Sequence, residues 1–321
     1  MSRAQLLLSP LVPLYATGVS AKNLAYDRGW IAPKRLESPV VSVGNLSVGG
    51  AGKTPVVIRL AQLLREAGHS IDVLSRGYGR KSDEIAQVDP EGSATQFGDE
   101  PLLIARCGVP VFVGADRFAA GLLAERTQPP PGIHLLDDGF QHRRLSRDLD
   151  IVVLHASDFE QHLLPAGRLR EPLSALHRAG VLVLRAEDRA IETELRRCNI
   201  TAPVWIQSRR IAIEPTSRAI AFCAIARPRE FFSALKAQGV DLAASSAFRD
   251  HHAWSESDIN ALLALRARHR AESFITTEKD FVRLAPAQRD DLAPLQAARL
   301  EVRFEDETAI LAQLARLLMR K

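Results

Sequence analysis

The run Ser47-Val48-Gly49-Gly50-Ala51-Gly52-Lys53-Thr54 carries the clearest chemistry in the chain. Glycines let backbone N–H groups turn inward onto phosphate oxygens, and a following helix adds partial positive charge at its N-terminus. Lys53 would reach the β- and γ-phosphates, and the Thr54 hydroxyl would be offered to Mg²⁺. The strict phosphate-loop pattern has glycine where this chain has Ser47. A nucleotide site of this kind also needs a carboxylate at the end of a neighbouring strand. Ile133-His134-Leu135-Leu136-Asp137-Asp138-Gly139 supplies two. Adjacent strand residues face opposite ways, so one of the pair is expected to meet the metal, with Asp138 preferred.

The elements that must hold these residues follow from pattern. Pro39 to Val43 reads as a strand, and about Pro55 to Ala67 as a helix with Val56, Val57, Leu60, Leu63 and Leu64 on its buried side. Further strands are expected at 71–74, 111–113, 133–136, 151–154, 181–184 and 204–207. This predicts an α/β fold: a P-loop NTPase three-layer αβα domain with a mostly parallel sheet. A second βα series begins near Arg218, with strands at 219–225, 273–276 and 300–304 and helices at 228–238 and 308–318. The polar run Ser208 to Ser217 marks the expected boundary. The chain therefore divides into an N-terminal segment (1–36), a P-loop kinase domain (37–214) and a smaller C-terminal α/β domain (215–321).

Composition fits this picture. The 321 residues are 46% hydrophobic and 25% charged, as in a globular protein with sizeable cores. Cys107, Cys198 and Cys223 are too scattered for a metal knuckle, and read as reduced thiols. Residues 1–36 hold Arg3, Lys22, Arg28, Lys34 and Arg35 against Asp27, which accounts for the net charge of +4. No basic, aromatic-interleaved patch suggests nucleic acid. Ala4 to Ala21 is uncharged but broken by Pro10 and Pro13. It is too interrupted for a confident membrane span, and those prolines also count against a signal peptide ending at Val19-Ser20-Ala21. Leu11, Leu14, Tyr15, Gly18, Val19 and Lys22 share a helical stripe, which suggests an amphipathic helix lying on an anionic membrane surface. The same stripe would also fit packing on the protein's own body.

Several blocks together resemble the tetraacyldisaccharide 4′-kinases of lipid A biosynthesis. They are Gly44 to Gly50, Ser75-Arg76-Gly77-Tyr78-Gly79-Arg80, Gly98-Asp99-Glu100-Pro101 and Asp137-Asp138-Gly139-Phe140-Gln141-His142. Leu164 to Pro172, Asp250-His251 and Thr276-Thr277-Glu278-Lys279-Asp280 extend the match along nearly the whole chain. Ser47 is itself typical of that family.

The resemblance implies transfer of the ATP γ-phosphate to the 4′-hydroxyl of a tetraacyldisaccharide 1-phosphate, forming lipid IVA. It also implies a peripheral place on the cytoplasmic face of a Gram-negative inner membrane. ATP with Mg²⁺ and the lipid A precursor are the expected partners. Asp99 becomes the candidate base, acting with His251, although His252 is adjacent. Asn45, Arg76, Tyr78, Arg117, Gln141, His142 and Arg170 are expected to bind substrate. Arg80, Arg143, Arg144 and Arg168 are further loop arginines near these motifs.

From the residues alone, Asp99 could equally cap a helix, and Asp250-His251-His252 could be a solvated turn or part of a metal site. Glu278-Lys279-Asp280 resembles a base clamp in position, but the guanine-reading N-K-x-D is absent. A GTPase or metallochaperone, a small-molecule kinase and a membrane adaptor are the rival classes.

Overall fold

A computed structural model describes residues 7–50, 52–127, 132–214, 217–250 and 252–318; side chains are described to residue 316. Ala51 and His251, both expected at the site, lie outside the described residues. The described chain forms twelve strands: β1 (Val40–Gly44), β2 (Ser70–Ser75), β3 (Ala86–Gln87), β4 (Val111–Val113), β5 (Gly132–Asp137), β6 (Leu149–Val153), β7 (Val181–Arg185), β8 (Val204–Ala212), β9 (Ala219–Cys223), β10 (Leu242–Ala247), β11 (Ser273–Thr277) and β12 (Leu295–Phe304). They make one sheet in the order β10-β9-β11-β12-β8-β7-β6-β1-β5-β2-β4-β3. Pairing is parallel except at β12/β8 and β3/β4. The expected α/β architecture, mostly parallel, is what is found.

The helices that matter here are α1 (Val12–Asp27), α2 (Lys53–Glu66), α3 (Asp99–Arg106), α4 (Arg117–Thr127), α5 (Pro228–Ala237), α6 (Glu256–His269), α7 (Glu278–Arg283) and α8 (Glu307–Leu318). Strand alternation sorts the core into two faces. Val41, Val43, Val73, Leu135 and Ile151 pack with Val56, Val57, Leu60 and Leu64 of α2. Val40, Leu74 and Leu136 pack on the α4 side, and Val152, Leu182 and Leu184 continue that layer. In the second βα series, Ala219, Ala221 and Cys223 meet α5, whereas Ile220 and Phe222 meet α6.

Three local readings change. The polar run after Gln207 is not all connection: Ser208 to Ala212 continues β8, antiparallel to Arg299–Arg303 of β12. Pairing supplied by a distant segment holds those polar residues in a strand. β10 was not apparent from pattern, because Ala243-Ala244-Ser245-Ser246-Ala247 offers little apolar alternation. Finally α8, near the chain's end, packs back on the first core. Ile310 and Leu314 join the α2 cluster, and Arg59 pairs with Glu307 at 2.7 Å.

The α1 stripe is divided. Tyr15, Val19 and Tyr26 are half-buried against the body, whereas Leu11 and Leu14 are exposed. No helix of the described residues is long and apolar enough to cross a membrane.

Leu314 is fully buried. Leu314→Ala should therefore cost about 2–5 kcal/mol, read as a lowered urea midpoint. A midpoint unchanged within error would mean that α8 does not seal the first core.

Candidate active site

The phosphate loop, the loop after β2 with Arg76 and Tyr78, and the Asp137-Asp138 pair follow the carboxyl ends of β1, β2 and β5, where ligands bind in open parallel sheets. β1 delivers the phosphate loop. Gly52 has φ of 75°, so the chain turns left-handed there and α2 begins at Lys53, earlier than hydrophobic pattern alone suggested. Thr54 then stands in the first turn, with the N–H groups of that end open to an anion.

Lys53 does not project freely. Its Nζ donates to Asn45 Oδ1 at 3.0 Å and lies 3.4 Å from Asp138. Arg170 grips Asp138 with both terminal nitrogens, at 2.9 and 2.7 Å, and its Nη2 also reaches Asn45 Oδ1. Asn45 is wholly buried and donates to the Ser47 carbonyl at 2.7 Å and to its hydroxyl at 3.2 Å. Gln141 donates to the Asn45 carbonyl at 3.0 Å. One buried amide thus ties together the strand end, the loop, the lysine and the arginine. Ser47 earns its place as a side chain, because its hydroxyl receives the Asn45 amide.

The two aspartates differ sharply. Asp137 continues β5 on the α2 face, in register with Val43 of β1. It is buried and accepts from the Ser75 hydroxyl at 3.2 Å. Burial, then the charges of Glu100 and Asp138, push its carboxyl up to about 7. Its Oδ1 has no hydrogen-bond partner among the described residues. Asp138 adopts φ of 51°, which swings it back toward Lys53 and Arg170. Burial opposes its ionisation, but the Arg170 hydrogen bonds and the Lys53 charge outweigh that and hold it well below the usual carboxylate range. The preferred candidate, Asp138, is therefore already engaged by two cations, whereas Asp137 keeps an unused oxygen.

These residues fit a divalent cation. A buried carboxylate oxygen with no hydrogen-bond partner and a threonine hydroxyl in the first turn of α2 are hard-oxygen donors, which Mg²⁺ favours when nucleotide phosphates complete the shell. No group of three His, Cys, Asp or Glu side chains able to hold a metal occurs among the described residues.

Other expected contacts divide. Arg117 is buried at the start of α4 and donates to the Ala115 carbonyl at 2.9 Å. Burial, then the charge of Arg76, lower it to about 10. Burial, then Arg117 and Arg147, lower the His142 imidazole to about 4, so it is neutral at pH 7. Arg76 and Tyr78 stand exposed on the loop after β2. Glu278, Lys279 and Asp280 are engaged within the protein, with Arg299, Asp250 and Arg283 respectively, and make no free base clamp.

Asp99 opens α3 behind Gly98, whose φ is 91°, so it sits in a first helical turn and not in a loop. Arg283 of α7 lies 3.5 Å from its carboxylate. Sequence reasoning missed Arg283, as it missed Arg209. A methyl group on Gly52 would strike the Arg209 guanidinium, and one on Gly49 would strike that of Arg168. Arg168 donates to the Val48 carbonyl at 2.9 Å. Two arginines therefore flank the phosphate loop. An arginine in the middle of β8 gave no local signal of this.

Comparison with known proteins settles the class. The profile of the family described as Tetraacyldisaccharide-1-P 4'-kinase matches residues 4–319. The chain belongs to that family. A tetraacyldisaccharide 4'-kinase from Koribacter versatilis is 44% identical, over 98% of this chain and 99% of the relative. One from Geobacter metallireducens is 40% identical, over 95% and 96%. The crystal structure of LpxK from Aquifex aeolicus, described as an "apo" form in complex with ATP, matches with a TM-score of 0.79. It is 33% identical and covers 98% of this chain and 99% of that one. The protein is thus an ATP-dependent tetraacyldisaccharide 4'-kinase.

The raised Asp137 carboxyl makes a prediction for the nucleotide-free kinase. A folded pKa near 7, against an ordinary value of 3.8, gives stability that is fully present below pH 4 and lost as pH rises through 7. Asp137→Asn should leave the melting temperature nearly unchanged below pH 4 and raise it by an amount that grows with pH, about 3 °C more at pH 8 than at pH 5. Parallel melting curves for the two proteins from pH 5 to 8.5 would refute the assignment.

Proposed function

We propose that this kinase transfers the γ-phosphate of ATP to the 4′-hydroxyl of a tetraacyldisaccharide 1-phosphate, with Asp99 as the base. Support for this reading comes from the Lys53 grip, the unused Asp137 oxygen and the charge that Glu100, next to Asp99, exerts on Asp137, in a chain of this family. Mg²⁺, held by Thr54 and Asp137, would neutralise phosphate charge when bound.

The chain's own residues supply the rest. Loop N–H groups and Lys53 hold the phosphates. Arg170 and Asn45 keep Lys53 and Asp138 in place, so little reorganisation is needed as charge develops. Arg168 and Arg209, at the two ends of the loop, add positive charge beside the phosphate path. Asp99 accepts the proton of the attacking hydroxyl, with His251 as its partner. Arg117, Arg76, Tyr78, Gln141 and His142 line the acceptor side, and buried, cationic Arg117 suits the substrate's 1-phosphate.

The proposed domain division gives two units, 37–214 and 215–321, that close over the nucleotide. Support comes from Gly50, where an added methyl would stand 3.2 Å from Ala226 of the second unit. Closure of this kind excludes water from phosphoryl transfer.

The proposed location is peripheral, on the cytoplasmic face of the inner membrane, with α1 in the interface. Leu7, Leu14 and Trp30 are 80%, 73% and 72% exposed on a segment carrying Lys22 and Arg28. Its other face is bolted to the site loops: the Tyr15 hydroxyl donates to the Arg170 carbonyl at 3.0 Å, and Asn23 to Glu171 at 2.7 Å. A lipid-borne sugar would therefore arrive beside the catalytic cleft.

Two measurements test the reading. Purified protein with ATP, Mg²⁺ and tetraacyldisaccharide 1-phosphate should form a bis-phosphorylated product by mass spectrometry. Asp99→Ala should lower its rate by about 10²–10⁴-fold while ATP binding by calorimetry survives, and equal loss of ATP binding would refute the base. Leu11→Glu with Leu14→Glu should reduce co-sedimentation with anionic liposomes several-fold. Unchanged sedimentation would mean that α1 does not meet the membrane.

A further inference from the structure

Asp99 lies in the first unit, but the guanidinium facing it comes from the second. Arg283 Nε is 3.5 Å from Asp99 Oδ2, and the two side chains are only 10% and 13% exposed. Arg283 Nη1 is 3.5 Å from Asp280 Oδ1, and Nη2 donates to the His252 carbonyl at 2.5 Å. Three donors of one planar fork thus face three different groups, an arrangement lysine cannot reproduce.

Asp280 is itself an anchored pivot. It is fully buried at the start of α7, where its Oδ2 accepts from the Ala224 N–H at 2.9 Å and from the Thr277 hydroxyl at 2.7 Å. Its Oδ1 and Arg283 Nη1 have no hydrogen-bond partner among the described residues. A separation of 3.5 Å is beyond ordinary N–H···O contact. The guanidinium is therefore shared between two carboxylates and closed on neither. The Thr-Thr-Glu-Lys-Asp block, which resembled a base clamp, finds its use here: Thr277 and Asp280 hold the arginine that faces Asp99.

We propose that Arg283 is a positioning residue for phosphoryl transfer, aiming the Asp99 carboxylate into the cleft and tying it to the second unit through Asp280 and the His252 carbonyl. Relative movement of the units then moves the carboxylate and the chain beside His251 together. Tightening of the guanidinium onto Asp280 releases an Asp99 oxygen for the sugar hydroxyl. This rests on the reading of Asp99 as the base.

The charged surroundings are few. The elements packed on α3 are α7, α2, β4 and the short turn Ala94–Phe97. On α7, Glu278 pairs with Arg299 and Lys279 with Asp250. On α2, Arg59 pairs with Glu307, and Arg65 donates to the Gly108 carbonyl, leaving Lys53 at the site end. Glu100 is the adjoining acid on α3 itself. Among the described residues, Arg283 is a cation that reaches Asp99 from a neighbouring element.

The test is a pH profile of kcat/KM for the disaccharide acceptor, with wild type, Arg283→Gln, Arg283→Lys, Asp280→Asn and Asp99→Asn. Removing a cation from beside a carboxylate raises its titration. Arg283→Gln should lower kcat about tenfold or more, leave KM for ATP within about twofold, and move the acidic limb up by about half a pH unit or more. Arg283→Lys should keep the limb in place but recover only part of kcat. Asp280→Asn, which loosens the fork without removing its charge, should lower kcat with KM for ATP unchanged. An unmoved limb in Arg283→Gln, wild-type kcat in Asp280→Asn, or a rise in KM for ATP matching the loss of kcat would overturn the inference. An active Asp99→Asn enzyme would instead overturn the base on which it rests.

Discussion

The contact set of Asn45, Lys53, Asp138 and Arg170 is the constraint around which the site is arranged. Asp138 carries negative charge into a half-covered position, which is tolerable only because two cations hold it. Lys53 is thereby aimed before any nucleotide arrives, and Arg170 carries the 164–172 loop with it. The Arg170 carbonyl in turn accepts the Tyr15 hydroxyl. The loop that steadies the phosphate grip is thus the one on which the N-terminal helix rests. The phosphate loop and the N-terminal helix share one mechanical support.

Asp137 and Asp138 show how two neighbouring carboxylates acquire different tasks. Strand alternation sends Asp137 to the α2 face, where it is desolvated and retains an unused oxygen. The left-handed turn at Asp138 sends it among cations. The two environments drive their protonation in opposite directions, a separation typical of sites where one acid serves structure and another serves a ligand.

Segments after residue 215 also reach the site: the Ala226 side chain approaches Gly50 and Arg283 faces Asp99, while Arg209 of β8 lies on Gly52. The antiparallel β8/β12 pair joins the two βα series into one sheet, and α8 clasps the first core.

Much of this was legible in sequence. A glycine-rich turn between an apolar strand and a helix ending in Lys-Thr has local causes, and so do a strand ending in Asp-Asp and the alternation that predicts a parallel sheet. Family blocks in order along the chain gave the reaction class. What tertiary structure decided was partnership. Whether Ser208–Ala212 is strand depends on β12, almost a hundred residues away. Which aspartate is free depends on where Arg170 reaches. Arg209 and Arg283 become site residues only because distant strands and helices carry them to the loop and to Asp99. Local backbone preference and periodicity act over a few residues, so sequence alone determined the elements and their motifs. Long-range pairing and charge contacts act between segments, so only the folded chain determined which side chains meet.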